Sequence, residues 1–135
     1  MADESKVPDM RPQAELRLPP ELTTPAFARA AVAAMSSGLP EEVVSDVELL
    51  TTELVTNALK HATASQSEQI IVRLVLHDRV RVEVIDSGPS FDPRPVRPDP
   101  GSTTGWGLFL VDTLATSWGV ELEGRGKKIW FEVGP

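Results

Sequence analysis

The sequence predicts an α+β fold, a two-layer sandwich in which three helices cover one face of a mixed, mostly antiparallel sheet. Two stretches in the first half of the chain repeat apolar residues every three or four positions, as amphipathic helices do. Two later pairs of stretches alternate apolar and polar residues across short turns, which is typical of β-hairpins. A glycine-led apolar stretch between the hairpins adds a third helix, and together these elements predict a sheet with its helices on one side.

The beginning of the chain predicts a flexible tail followed by one domain. Residues 1–13 are polar, contain two prolines and show no period, so we assign them no structure. The remaining residues, 14–135, have the usual length of a single domain. Residues 15–18 alternate charged and apolar side chains before two prolines, which predicts a short edge strand.

Helical spacing then predicts two helices in succession. The first covers the alanine-rich residues 24–35, and residues 36–40 supply a turn. The second begins at Glu41 and Glu42, whose charges suit a helix N-terminus, and runs to about residue 62. Its predicted core stripe is Val43, Val47, Leu50, Leu54 and Ala58.

The second half of the chain predicts two hairpins and a helix between them. The expected elements are strands at 70–76 and 80–86, a helix at 105–117, and strands at 120–123 and 129–133. Residues 87–104 hold five of the twelve prolines and have no regular period. A loop of that length inside a small domain is usually functional, and we interpret it as a lid.

Composition limits the function classes that this chain can serve. Hydrophobic residues make up 41% and charged residues 24%, as in ordinary globular proteins. A net charge of -7 argues against nucleic acid as a direct partner, because no basic face is available for phosphates. The chain has no cysteine, no signal-peptide pattern and no apolar run near the ~18 residues that a membrane span needs. These features predict a cytoplasmic protein.

Three polar residues share one stripe of the second predicted helix. Glu53 and Asn57 lie four positions apart, about 40° around the helix, and Lys60 falls on the same stripe. Spacing alone leaves two interpretations open, a binding site and a solvated helix face.

Two further motifs flank the predicted lid. Asp86 ends a strand in phase with its buried valines and is followed by Ser87 and Gly88, so its carboxylate points toward the covered face. A buried carboxylate needs a partner, which a turn or a bound amine could supply. After the lid, the run Gly105-Trp106-Gly107-Leu108 opens a helix whose bare backbone amides suit a phosphate, although an ordinary helix entry looks the same.

Taken in order, these motifs resemble the GHKL ATPase superfamily over roughly residues 14 to 134. The N box corresponds to residues 53–61 and the two glycine boxes to residues 86–88 and 105–108. Within the superfamily, the compact form, the Glu-x-x-x-Asn box and the closing residues 118–119 and 126–130 look like bacterial anti-sigma-factor serine kinases.

The resemblance implies a role for each motif residue. Asn57 would bind the Mg²⁺ that bridges the ATP phosphates, with Lys60 touching phosphate, and Glu53 would be the general base. Asp86 would accept a hydrogen bond from the adenine amino group. The two glycine boxes would place backbone atoms against the adenine base and the phosphates. The residues involved would be Gly88, Gly105, Trp106, Gly107 and Leu108.

The sequence departs from the family pattern at two places. Ser90 follows Pro89 where the family often has a hinge glycine, which predicts a stiffer lid. The threonine that the family places beside its adenine-binding carboxylate is expected near Lys128 and is absent. ATP affinity is therefore not determined by the resemblance.

Three functions remain as hypotheses. The first is a serine/threonine kinase that phosphorylates a small antagonist protein, binds a sigma factor and forms a homodimer like its relatives. The second is a non-catalytic module in which ATP sets only the conformation that holds the partner. The third, the ATP-binding part of a histidine kinase or gyrase-like ATPase, is less expected, because 135 residues leave no room for a phosphoacceptor helix pair or a transducer domain.

Overall fold

The structure is a computed structural model that describes residues 14–62, 69–87, 107–123 and 126–134. The predicted tail and most of the predicted lid lie outside these residues. The described elements are β1 (Ala14–Leu18), α1 (Thr24–Met35), α2 (Glu41–Ala62), β2 (Ile70–Leu76), β3 (Val80–Asp86), α3 (Gly107–Leu114), β4 (Ser117–Glu123) and β5 (Gly126–Val133).

The five described strands form one sheet in the order β1-β2-β3-β5-β4. Every neighbouring pair of these strands is antiparallel, so the sheet expected to be mixed is antiparallel throughout its described part. The two predicted hairpins are confirmed as β2–β3 and β4–β5. The long connection through α3 lets β5 pair with β3, which joins the hairpins into a single sheet.

The core lies between the inner face of this sheet and the helices. Helix α2 packs on β2, β3 and β5, while α1 and α3 pack against α2. The predicted core stripe of α2 is confirmed at Val47, Leu50, Leu54 and Ala58, which are at most 1% exposed. Facing them are alternate residues of the central strands, namely Val80, Val82 and Val84 of β3 and Ile129, Phe131 and Val133 of β5. The predicted α+β sandwich, with three helices on one side, is therefore confirmed.

The bounds of α1 and α2 agree with the predicted ranges, but α3 is shorter than predicted. Its described part ends at Leu114, whereas the prediction extended it to residue 117. The reason is strand pairing, because Ser117 pairs with Glu132 in β5. The backbone amide of Thr116 also donates to the Glu132 carbonyl oxygen at 2.7 Å. Pairing with β5 therefore starts β4 three residues earlier than the apolar pattern indicates.

The outer face of the sheet carries alternating charges that cross all five strands. We call this set the charged ladder, and it consists of Glu15, Arg73, Glu83, Lys128 and Glu121, one from each strand in spatial order. Successive nitrogen–oxygen distances are 2.9, 3.6, 3.7 and 3.2 Å. Opposite charges on neighbouring strands stabilise their register, so the ladder favours the observed pairing.

Candidate functional site

The direction of α2 places its polar stripe at one particular end of the sheet. Near its N-terminus, Val43 lines a cleft of about 100 Å³ together with Val80, where β3 begins. From Val43 to Asn57 the helix rises about 21 Å, and from Val80 to Asp86 the strand advances about 20 Å, at about 1.5 and 3.3 Å per residue. Helix α2 contacts β3, and both elements start at this cleft, so Asn57 and Asp86 each lie about 20 Å along their own element from it.

At this end, Asn57 of α2 contacts the first residue of α3. A Cβ atom added to Gly107 would lie 2.7 Å from Nδ2 of Asn57, closer than real Cβ contacts allow. Only glycine therefore lets the start of α3 approach the Asn57 amide in this way. The structure thus brings together one residue from each of two predicted motifs, and an amide side chain meets a helix N-terminus there.

The neighbours of Asn57 on the predicted stripe differ in exposure. Glu53, one helical turn earlier, is partly buried, whereas Lys60, almost one turn later, is exposed. Leu108 packs its side chain against the core, which leaves its backbone as the part that could face a ligand. The positions of Gly88, Gly105 and Trp106 lie outside the described residues.

Asp86 points into the inner layer, as its phase in β3 predicts, and its carboxylate is engaged there by a lysine. Oδ1 of Asp86 accepts a hydrogen bond from Nζ of Lys127 at 2.9 Å. Asp86 is 4% exposed and Lys127 is 1% exposed, so this ion pair is buried. The two residues face each other directly in the β3–β5 register. The partner that a buried carboxylate needs is thus supplied by the chain itself.

The residue beside Asp86 is Lys127, one position before the site that the family resemblance indicated. Lys128 lies on the opposite face of the sheet, between Glu83 and Glu121. Sequence analysis did not single out Lys127, although a usable signal was present. Counting back in twos from the apolar residues Phe131 and Ile129 places Lys127 on the buried face.

Gly126 lies close to the same end of β3. A Cβ atom at this position would come within 1.9 Å of the Asp86 carbonyl oxygen, which is backbone and cannot move aside cheaply. A glycine here therefore allows β5 to begin directly against the end of β3. This close approach holds the backbones of Asp86 and Lys127 side by side.

Two features are absent from the described residues. No group of three or more His, Cys, Asp or Glu side chains in this part of the chain could hold a metal ion. Among the described helices, none has the length and apolarity to cross a membrane.

Three helices packed on one face of a five-stranded antiparallel sheet are the architecture of a GHKL-type ATPase domain. The chain belongs to the histidine kinase-like ATPase domain family, whose model matches residues 17–133.

Curated relatives and solved structures agree with this assignment. The chain is 28% identical to the serine-protein kinase RsbW of Listeria monocytogenes over 78% of its own length and 76% of the relative's. It is also 28% identical to RsbW of Staphylococcus epidermidis, over 74% and 73% of the two lengths. Its fold is similar to the solved RsbU and RsbW domains of a Mycobacterium tuberculosis protein, with a TM-score of 0.70 at 20% identity. The match covers 89% of this chain but only 31% of that one.

A second solved structure also has a similar fold. The catalytic domain of the histidine kinase ThkA is similar with a TM-score of 0.54 at 16% identity, over 89% of this chain and 93% of that domain. At such low identities these two structures support the fold alone.

Proposed function

We propose that this chain binds Mg-ATP and acts as a protein serine/threonine kinase of the anti-sigma-factor type. The observation that carries the proposal is the contact between Asn57 and Gly107 at the start of α3. An amide oxygen is a suitable ligand for a hard cation, and the backbone amides of a helix N-terminus suit phosphate. The similarity of the chain to curated relatives named serine-protein kinase RsbW supports the same function.

The residues on α2 suit phosphoryl transfer to a hydroxyl group. Bound Mg-ATP would supply the phosphoryl group. Glu53, one turn from Asn57 and partly buried, would accept the proton of the attacking serine or threonine hydroxyl. Asn57 would hold the cation and Lys60 would contact phosphate, so positioning and charge neutralisation would provide most of the catalysis.

The two halves of the proposed nucleotide site fit ATP unequally. At the phosphate half, the Asn57 amide lies against Gly107 at the start of α3, which supports a site for a cation and a phosphate. At the base half, the carboxylate that would accept from adenine already binds Lys127. This ion pair favours a second candidate function, a module in which ATP sets only the conformation that holds the partner and no phosphate is transferred.

The proposed partners follow from the relatives rather than from a surface on this chain. They are a small antagonist protein as the phosphate acceptor and a sigma factor as the regulated protein. A cytoplasmic location and a homodimer belong to the same proposal.

Phosphate transfer from ATP labelled at the γ position separates the two candidate functions. We expect the wild-type chain to label its cognate antagonist protein. Glu53→Gln should reduce labelling at least about a hundredfold, the usual size of general-base catalysis, while ATP still binds. Glu48→Gln is the matched control, because Glu48 lies on the same helix and is also partly buried.

Each alternative result has a definite meaning. A chain that binds ATP but leaves the antagonist unlabelled would support the non-catalytic module. Equal labelling by the wild type and Glu53→Gln would show that Glu53 is not the base.

A further inference from the structure

We infer that Lys127 competes with the nucleotide base for Asp86, so that an ion pair within the protein sets the affinity for ATP. The inference rests on the proposed ATP site and adds a specificity-determining residue to it. Lys127 Nζ occupies a hydrogen-bonding position on the carboxylate that an adenine amine would use.

The first support is the placement of the pair. Asp86 and Lys127 are directly opposite in neighbouring strands, and both side chains enter the layer between sheet and helices. The Nζ to Oδ1 distance of 2.9 Å is that of a strong charge-assisted hydrogen bond. A base amine that approached Oδ1 would meet the ammonium group already there.

The second support is the chemistry of the two donors. Lysine brings a full positive charge to a buried carboxylate, whereas an adenine amine is a neutral donor. Both donors would make charge-assisted hydrogen bonds to the carboxylate, but only the lysine adds the attraction between two full opposite charges. If adenine replaced Lys127, a buried ammonium group would also lose a counter-ion, which is costly where water is excluded. Adenine is therefore the weaker competitor.

The third support is that Lys127 cannot easily leave. The Lys127 side chain points the same way as those of Ile129 and Phe131, two residues of the same strand that are buried in the core. Turning Lys127 outward would require a one-residue shift in register that would expose those side chains. Gly126 and the Asp86 carbonyl oxygen also hold the two backbones in close contact.

Calorimetric titration of Mg-ATP into the wild type and three variants tests the inference. We expect Lys127→Met to lower the Kd by roughly tenfold or more, because a charged competitor is removed from Asp86. Lys127→Gln, which keeps a neutral donor near Asp86, should give a smaller gain and serves if the methionine variant does not fold. Lys128→Met is the matched control and should leave the Kd unchanged, because Lys128 faces the other side of the sheet.

Melting temperatures provide a second measurement of ATP binding that does not depend on kinase activity. Without nucleotide, Lys127→Met should melt below the wild type, and Mg-ATP should raise its melting temperature more than that of the wild type.

The possible outcomes separate this inference from the proposed function. If the wild type binds ATP and neither Lys127 variant binds more tightly, the inference is wrong and the ATP site remains. An equal gain from Lys128→Met would also overturn it, since the effect would then follow net charge rather than position. If neither the wild type nor any folded Lys127 variant binds ATP, both proposals fail.

Discussion

Two adjacent lysines of β5 lie in opposite environments, one on each face of the sheet. Lys127 is buried in the inner layer and donates to Asp86, while Lys128 belongs to the charged ladder on the outer face. In the ladder, Glu83 also contacts Arg73 and Arg81, and Glu121 is 53% exposed, so these charges have other partners or water. The loss of stability on removing a lysine from β5 therefore depends more on which face of the sheet it occupies than on its charge.

The largest expected effect is the difference in stability between the same substitution at these two positions. Lys127→Met removes one partner of a buried ion pair, which typically costs about 3–5 kcal/mol of the free energy of unfolding. Lys128→Met should cost less, about 1 kcal/mol, because Glu83 keeps its two arginine partners and Glu121 is 53% exposed. Denaturation by urea without nucleotide measures both. Equal losses in the free energy of unfolding would show that the two faces of the sheet do not differ in this way.

Two glycines on opposite sides of the sheet, Gly119 and Gly107, should also differ in the effect of an added methyl group. A Cβ atom on Gly119 would lie 2.8–2.9 Å from three atoms of the Trp130 ring, which also carries the Arg81 guanidinium 4.0 Å from its centre. Gly119→Ala should therefore cost about 1–3 kcal/mol of stability, as overpacking usually does. Gly107→Ala meets the movable end of Asn57 instead, so it should cost less stability but weaken Mg-ATP binding.

Urea denaturation and calorimetry of both variants check this second comparison. Replacing Trp130 by leucine in the Gly119→Ala background should recover part of the lost stability, because the crowded ring is removed. A Gly107→Ala variant that binds Mg-ATP like the wild type would contradict the role given to its contact with Asn57.

The smallest expected effect concerns acid stability at the edge of the ladder. The hydrogen bond from Arg73 lowers the pKa of Glu15 below its ordinary value, desolvation opposes this in part, and the hydrogen bond and charge of Arg17 lower the pKa further. A lowered pKa in the folded state means that the ionised carboxylate stabilises the fold. This contribution is present above the ordinary pKa and is lost as the pH falls through the lower, folded value.

Comparison of the wild type with Glu15→Gln across this acidic range tests the expectation. The wild type should be slightly more stable near neutral pH, and the two curves should converge as Glu15 becomes protonated. A difference that stays constant through the acidic range would mean that the charge of Glu15 is not responsible.

Much of the fold could be predicted because its signals are local. The bounds of α1 and α2 follow from apolar spacing and from turn residues on either side, and the inward phase of Asp86 follows from the two-residue period of β3. The end of α3 could not be predicted in this way. Residues 115–117 continue a helix-compatible sequence, and it is pairing with Glu132, fifteen residues after Ser117, that makes a strand of Ser117.

The candidate site shows the same division between local and distant information. The motif residues on α2 and the inward direction of Asp86 can be read from the sequence, because each depends on a periodicity within one element. The contacts of Lys127 with Asp86 and of Asn57 with Gly107 arise only when the chain folds. These contacts join residues 41 and 50 positions apart, and their geometry depends on strand register and helix packing, which no local pattern specifies.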